Sequence, residues 1–468
     1  MKRCIALCAM MVLPLMPVAA KSVSYYGDVR PIIEQKCLVC HSEAGVAFSF
    51  EDPEKAYDFR AAIALAVAAR RMPPWMAEPG HQQYLNDYSL DDQQLALIAR
   101  WAEDDYPKGK ARRRQSAAAG PTAFKADMLL PLVGTKAYLP DQSRHDDYRC
   151  FVAQWPLSQP AFVTGIGAHP GNARISHHAI IYIAEPQYLD IYREFVEAEG
   201  GQGYQCFGGP LPDRLGIPEH RQALEAKHPE AVAGLAAGQF WLAHWAPGME
   251  GYDLPPDTGI MVKPGSVVIV QMHYFTGFAP NESDAGTSLA FKTADTVRKP
   301  AVNWPLSRGE WLQARSNQSL VVPPQSRASV GTSASMIGLD QYIATTSDRD
   351  VGDFPSLEVH SANVHMHIIG AAGEVRLLRA DQAPEVLLKI PRYEFGWQRD
   401  FFLAQPKQVA RADLESTQLE VHCEFANPGK EPVYGGYSSE EEMCYNFSLL
   451  ALSPDQPKKP AGSKKDAP

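Results

Sequence analysis

The chain has 468 residues, of which 45% are hydrophobic and 21% charged, and it carries a formal net charge of −10. That length points to roughly two to four domains with ordinary globular cores, and an acidic balance spread along the chain argues against nucleic acid as a partner. Thirty-eight prolines and 34 glycines, set among many short β-rich runs, favour sheets over helical bundles.

Residues 1–20 read as an export signal. Lys2 and Arg3 precede an apolar run from Ile5 to Leu15, and Val18-Ala19-Ala20 offers small residues for cleavage ahead of Lys21. The run is too short to span a bilayer. The expectation is a periplasmic or secreted protein that does not span the membrane and can form disulfides. Of eight cysteines, Cys4 and Cys8 leave with the signal, and Cys37 and Cys40 share one motif. Cys150, Cys206, Cys423 and Cys444 remain, enough for two disulfides in any of three connectivities. Pairing nearest neighbours, Cys150–Cys206 and Cys423–Cys444, is the economical choice.

Residues 21–106 read as a small all-α domain. Cys37-Leu-Val-Cys40-His41 matches the C-x-x-C-H pattern that attaches c-type haem. Two thiols at that spacing can add to the two vinyl groups, and the next His then lies under the iron as an axial ligand. A thioredoxin-like pair would want a βαβ setting, whereas the flanks here read helical. Asp52-Pro53-Glu54 is a helix start, with the helix running through Phe59 to Met72, where Pro73-Pro74 stops it. Ser89 to Asp92 resembles a capping box that opens a closing helix, with Leu95, Leu97, Ile98 and Trp101 on one face. This set of helices resembles a class I cytochrome c. That resemblance implies a Met on the far side of the iron, for which Met72 is the choice and Met76 the alternative; core packing is the other use of either residue. Residues 107–121 read as a basic, Ala/Gly-rich linker.

From 122 onward the pattern is β-rich, and its length suits two mainly antiparallel, jelly-roll-like β-sandwiches, 122–285 and 286–453, followed by a disordered tail over 454–468. Histidines cluster here. His177-His178 is a tandem pair just before a strand, where neighbouring side chains ordinarily face opposite ways, so both can hold one metal only at a strand end or through different ring nitrogens. His365 and His367, at i and i+2, share a face if on a strand. His273 follows Gln271 by one pleat, and Met443 precedes Cys444. Singly, each has an ordinary structural use. His81, His145, His169, His220, His228, His244, His360 and His422 read as structural or surface residues.

Together, Y-x-C (Tyr148, Cys150), H-H (His177, His178), Q-x-H-Y (from Gln271), H-x-H (His365, His367) and E-M-C (Glu442 to Cys444) stand in the order of the copper type II, ascorbate-dependent monooxygenases. The chain from about 147 to 450 resembles that family, whose members include peptidylglycine α-hydroxylating and dopamine β-monooxygenases. The resemblance implies two coppers. One, electron-transferring, would be held by His177, His178 and His273; the other, oxygen-binding and catalytic, by His365, His367 and Met443. A thioether favours Cu(I), and zinc rarely takes Met. The resemblance also implies a disulfide beside the Met ligand, a second reason for Cys423–Cys444. The expected function is hydroxylation of a C–H bond of an unknown organic substrate with O2. Its electrons come from an external donor (a reduced cytochrome, another redox protein or an ascorbate-like reductant) and pass through the fused haem to the three-His copper. Where peptide-hydroxylating members carry an Arg two residues before H-x-H, this chain has Asn363, which argues against a peptide carboxylate. The alternative is a non-catalytic haem and copper electron-transfer or copper-binding protein.

Overall fold

The computed structural model describes residues 22–455, apart from 43–47, 86, 112–123, 135, 230–233, 236–238, 247–250, 278 and 313–317. The export signal, most of the expected linker and nearly all of the tail lie outside the described residues. Strands dominate, helices are few and short, and no helix among the described residues is long and apolar enough to cross a membrane.

The N-terminal helices pack around a small core of their own. Helical turns Tyr25–Val29, Arg30–Ile32 and Ile33–Cys37 follow one another and end at the C-x-x-C-H motif. Pro53–Asp58 begins as expected, with the Asp52 carboxylate accepting the Glu54 N–H at 2.9 Å. The expected single helix through Met72 is instead two. The chain breaks at Phe59, resumes as Arg60–Ala68, and leaves the helix where Arg70 turns left-handed at φ 54°. The last helix, Asp92–Glu103, does carry a capping box, but its members are Asp91 and Gln94 rather than Ser89 and Asp92. Tyr25, Val29, Ile33, Ile63, Val67, Ile98 and Trp101 bury the shared apolar faces. Pro107 and Lys108 belong to this unit and not to a linker, because their carbonyls accept the N–H groups of Tyr25 and Tyr26.

The β-region is two sandwiches built on one shared sheet. Its strands run Met128–Pro131, Ser288–Ala294, Ala161–His169, Thr258–Val262, Lys299–Leu306, Asn446–Ser453, Ser356–Ala362, Phe401–Ala410, with Gly251–Asp253 beside the third. All of its pairings are antiparallel except one, a short parallel contact of Thr258 and Gly259 with Lys299 and Pro300, where the two halves join. Ser288–Ala294 pairs with Ala161–His169, so the first half reaches residue 294, beyond the expected boundary at 285. A five-stranded sheet covers the first half, in the order Tyr204–Gln205, Asp146–Gln154, Val267–Phe275, Ser176–Ala184, Gln239–Trp245. A four-stranded sheet covers the second, in the order Ser326–Ser335, Gln418–Asn427, Gly370–Leu378, Glu385–Ile390. Gln418–Asn427 alternates buried and half-buried along its length, as a strand with one face on a core should. Both expected disulfides form, Cys150–Cys206 and Cys423–Cys444.

The helical unit is docked, not merely tethered. Residues 75–85 run along the second sandwich as an added edge: Glu78 donates to the Lys389 carbonyl, Leu85 to Phe402, and Ala404 back to Gln83. Met76, Ala77 and Tyr84 are buried in the core of that sandwich, and Trp75 packs edge-on to Phe401 with ring centroids 5.0 Å apart. Edge pairing satisfies backbone groups that an open strand would leave to water. Tyr84→Ala removes a ring from this seam together with its hydrogen bond to the Leu387 carbonyl. The expected cost is about 3 kcal/mol. Partial release of the helical unit should then appear as faster tryptic cleavage after Arg70 and Arg71 and a larger radius of gyration in solution scattering.

Candidate metal centre

Two groups of histidines face each other across the seam between the sandwiches. In the first, a bulge in Ser176–Ala184 resolves the tandem-pair problem. Ser176 pairs with Tyr274 and His178 with His273, leaving His177 as an extra residue. An extra residue in one strand turns two successive side chains to the same side. Both rings therefore use the same nitrogen: Nδ1 of His178 lies 3.2 Å from Nδ1 of His177 and 3.3 Å from Nδ1 of His273. The candidate ligand atoms of His177, His178 and His273 all lie within 4.8 Å of one another.

What aims these rings is the contact made by the other nitrogen. His273 Nε2 lies 2.7 Å from Asp146 Oδ1, and Ser439 of the second sandwich donates to the same oxygen at 2.8 Å. A carboxylate on the far nitrogen fixes ring orientation and leaves Nδ1 for a metal. Tyr148 stacks on His273 with centroids 4.2 Å apart and planes within 6°. Gln271 holds the floor by donating to the carbonyls of Cys206 and Gly209. Burial draws His177 down to about 3 and His178 well below its ordinary range, with the neighbouring imidazoles adding to the effect. Neutral rings keep the lone pairs that a metal needs.

The second group uses the opposite nitrogens. His365 and His367 follow the strand Ser356–Ala362 instead of lying within it; His365 forms an isolated bridge with Tyr445, each residue donating to the other's carbonyl. His365 Nδ1 contacts Gln398 Oε1, and His367 Nδ1 lies 3.1 Å from the Glu441 carbonyl, which leaves both Nε2 atoms for a ligand. Burial lowers these rings to about 3 and about 4. Glu442 ties their loop to Met443: its fully buried carboxylate accepts the N–H groups of His367, Ile369 and Met443 at 2.9, 2.9 and 3.2 Å. Burial pushes Glu442 up to about 7 against those three bonds. The Cys423–Cys444 disulfide anchors the next residue.

His178 and His365 approach to 6.2 Å between ring centroids, and Phe395 stacks on His177 at 4.5 Å while lying 6.2 Å from His367. The two groups therefore face one another at close range across the seam. His178, His365, His367 and Met443 line a single cavity of about 100 Å³. The donor sets fit copper: three imidazoles in one group, two imidazoles and a thioether in the other.

The C-x-x-C-H motif lies apart from both groups. Cys37 and Cys40 are half-buried and form no disulfide. The His41 ring stacks on Phe50 at 4.4 Å and meets Phe48 edge-on. Thiols at the end of a helical turn, followed by an imidazole in an aromatic cluster, fit a covalently attached haem. Met72 is half-buried. Met76 is spoken for, since its sulfur accepts the Glu394 N–H at 3.2 Å within the second sandwich. Of the other histidines, His360 is buried 2.9 Å from Glu358 in an ion network with Lys299.

Residues 341–453 match the family model of the copper type II ascorbate-dependent monooxygenase C-terminal domain. That stretch holds His365, His367 and Met443. The DBH-like monooxygenase protein 1 of Gallus gallus is 20% identical over 230 residues, which cover 48% of this chain and 35% of that protein. The chain thus spans about a third of that relative's length. Among solved structures, the major capsid protein P2 of bacteriophage PM2 is 7% identical, with a TM-score of 0.25, covering 69% of this chain and 97% of that one. PNGF-II in its P21 form is 6% identical, with a TM-score of 0.25, covering 70% and 66%. Scores this low carry no argument.

Asp146, Gln398 and Glu442 were not singled out from sequence as positioning residues. Asp146 had a signal, being two residues from Tyr148 on the same face of a strand; Gln398 had none. Replacing Cys423 and Cys444 together by Ser should lower stability by about 2–5 kcal/mol. Copper titration of that variant should show weaker binding at the His365, His367 and Met443 group than at the three-imidazole group.

Proposed function

We propose that this protein is a copper-dependent monooxygenase that inserts one atom of O2 into a C–H bond of an organic substrate, with electrons delivered through a covalent haem c. The observation that carries the reading is the meeting of the two histidine groups over one cavity. An electron-relay protein needs ligands but no cavity beside them, which disfavours the non-catalytic alternative.

Two coppers fit the donor atoms, one on Nδ1 of His177, His178 and His273, the other on Nε2 of His365 and His367 with the Met443 sulfur. When bound, copper supplies the one-electron redox chemistry on dioxygen. The chain itself holds those atoms in place. Asp146 orients His273, while Gln398 and the Glu441 carbonyl orient His365 and His367. The aromatic walls exclude water from the reacting bond. Overall, the substrate C–H and O2 take up two electrons and two protons to give C–OH and water.

For the haem, Cys37 and Cys40 would carry the thioether bonds and His41 would hold the iron, with Met72 the candidate second ligand. The family pattern has electrons enter at the three-imidazole copper. Docking of residues 75–85 holds the helical unit against the second sandwich, the one that carries His365 and His367. Arg399 is drawn down to about 10 by burial, with Cys40 acting against that shift, and its neighbour Gln398 touches His365. The disulfides fit the oxidising compartment expected of an exported chain.

Met443→Ala should lower substrate-dependent O2 uptake by about a hundredfold or more while leaving copper at the three-imidazole group, read as metal content per chain. Wild-type turnover at saturating copper would mean that Met443 only packs. His41→Ala separates the haem's part: turnover driven by a haem-reducing protein should collapse while ascorbate-driven turnover survives. Equal survival of both would remove the haem from the electron path.

A further inference from the structure

The cavity wall beyond the histidines is rich in aromatic rings and carries no charged side chain. Trp241 and Phe447 stack at 4.3 Å, and Tyr445 stacks on Phe447 at 5.5 Å with planes within 12°. Among the described lining residues there is no Asp, Glu, Lys or Arg. Asp400 lies behind this wall, buried, with one oxygen 3.2 Å from Asn363 Nδ2 and 3.6 Å from His244 Nε2. It does not line the cavity.

Polar atoms in the wall are left over in a specific way. Asn363 is 2% exposed, and its Nδ2 donates to both the Arg399 carbonyl and Asp400, which fixes the amide orientation. Its Oδ1 is then an acceptor without a partner, and Trp241 Nε1 is a buried donor without one; His244 Nε2 likewise lacks a hydrogen bond. Buried polar atoms are nearly always satisfied, and three residues that line this one cavity each carry one that is not, which points to an absent polar group there. Trp241 Nε1 can only donate, and Asn363 Oδ1 can only accept. A hydroxyl or a primary carboxamide does both. A carboxylate would meet the Asn363 oxygen with no Lys or Arg facing it, and an ammonium would meet the Trp241 donor with no facing carboxylate; burying either charge without a side-chain partner is costly.

We infer that the substrate is a small, uncharged, largely apolar molecule bearing one hydroxyl or primary carboxamide, its body against Trp241 and Phe447 and its polar group between Trp241 Nε1 and Asn363 Oδ1. The cavity is partly open and small, about 100 Å³ beside the roughly 150 Å³ enclosed cavity that holds benzene, so a single ring seated partly in its mouth is the upper size. This assignment rests on the monooxygenase reading for its chemistry and on the wall alone for its selectivity.

The test uses the full-length, copper-loaded protein with benzyl alcohol, benzylamine and benzoate, which share one ring and differ in charge, and with toluene as the apolar control. Binding is read by calorimetry and turnover by O2 uptake. Benzyl alcohol should bind at least about tenfold more tightly than benzylamine or benzoate. Trp241→Phe keeps a ring but deletes the donor, and should weaken benzyl alcohol by about fivefold, the equivalent of one hydrogen bond, while leaving toluene unchanged. A melting temperature within a few degrees of the parent would exclude general unfolding. Asn363→Ser, which shortens the acceptor, serves as the second variant and should weaken benzyl alcohol in the same selective way. Charged probes binding as well as the alcohol, no probe binding at millimolar concentration, or a variant that weakens toluene and alcohol alike would each overturn the inference. Selective binding of the alcohol with no O2 uptake from any probe would leave the wall reading standing and count against the monooxygenase. O2 uptake with charged probes alone would do the reverse.

Discussion

A buried imidazole can serve a metal only through the nitrogen that the protein leaves over, and every other feature of the seam follows from how that choice is made. His273 gives its Nε2 to Asp146 and keeps Nδ1; His365 and His367 give their Nδ1 atoms to Gln398 and to the Glu441 carbonyl and keep Nε2. The partners come from strands and loops far apart in sequence. Asp146 is itself shared with Ser439 of the other sandwich, so the bond that aims a ring on one side also joins the two sides. Loss of such a partner leaves a ring buried but misdirected, which is why second-contact residues matter nearly as much as ligands.

The scaffold holds this seam by continuity. One sheet passes through both sandwiches, and its halves meet through the parallel contact of Thr258 and Gly259 with Lys299 and Pro300. Relative movement of the histidine groups would strain that sheet and break the Tyr148 bond to the Tyr437 carbonyl. The docked helical unit adds a third fixed body, because residues 75–85 are built into the edge and core of the second sandwich and not held on a free tether. A unit fixed in this way presents its surface to the sandwich in one geometry, where a tethered one would sample many.

Glu442 links local chemistry to this architecture. A carboxylate buried at 0% exposure is unfavourable unless paired or hydrogen-bonded. Here three backbone N–H groups meet it, from both the His367 loop and the Met443 loop, so one side chain registers two segments that carry candidate ligands and share no strand pairing of their own beyond His365 with Tyr445. The adjacent disulfide holds the same segment covalently.

The sequence alone determined what depends on residue type and short spacing. The order of the His, Met and Cys motifs, the Asp52 helix start and the predominance of strands are local or compositional properties, legible without a fold. The tertiary structure decided what depends on register and approach. The His177 bulge appears only once Ser176–Ala184 is aligned on Val267–Phe275, since an extra residue is defined by its partner strand. The shared sheet, which carries Ser288–Ala294 in the first half, is a long-range pairing that periodicity does not encode. The same holds for Gln398, whose contact with His365 spans 33 positions and leaves no trace in local pattern. Sequence put Met72 ahead of Met76 without excluding either, and the packing of residues 75–85 against the second sandwich took the Met76 sulfur out of play.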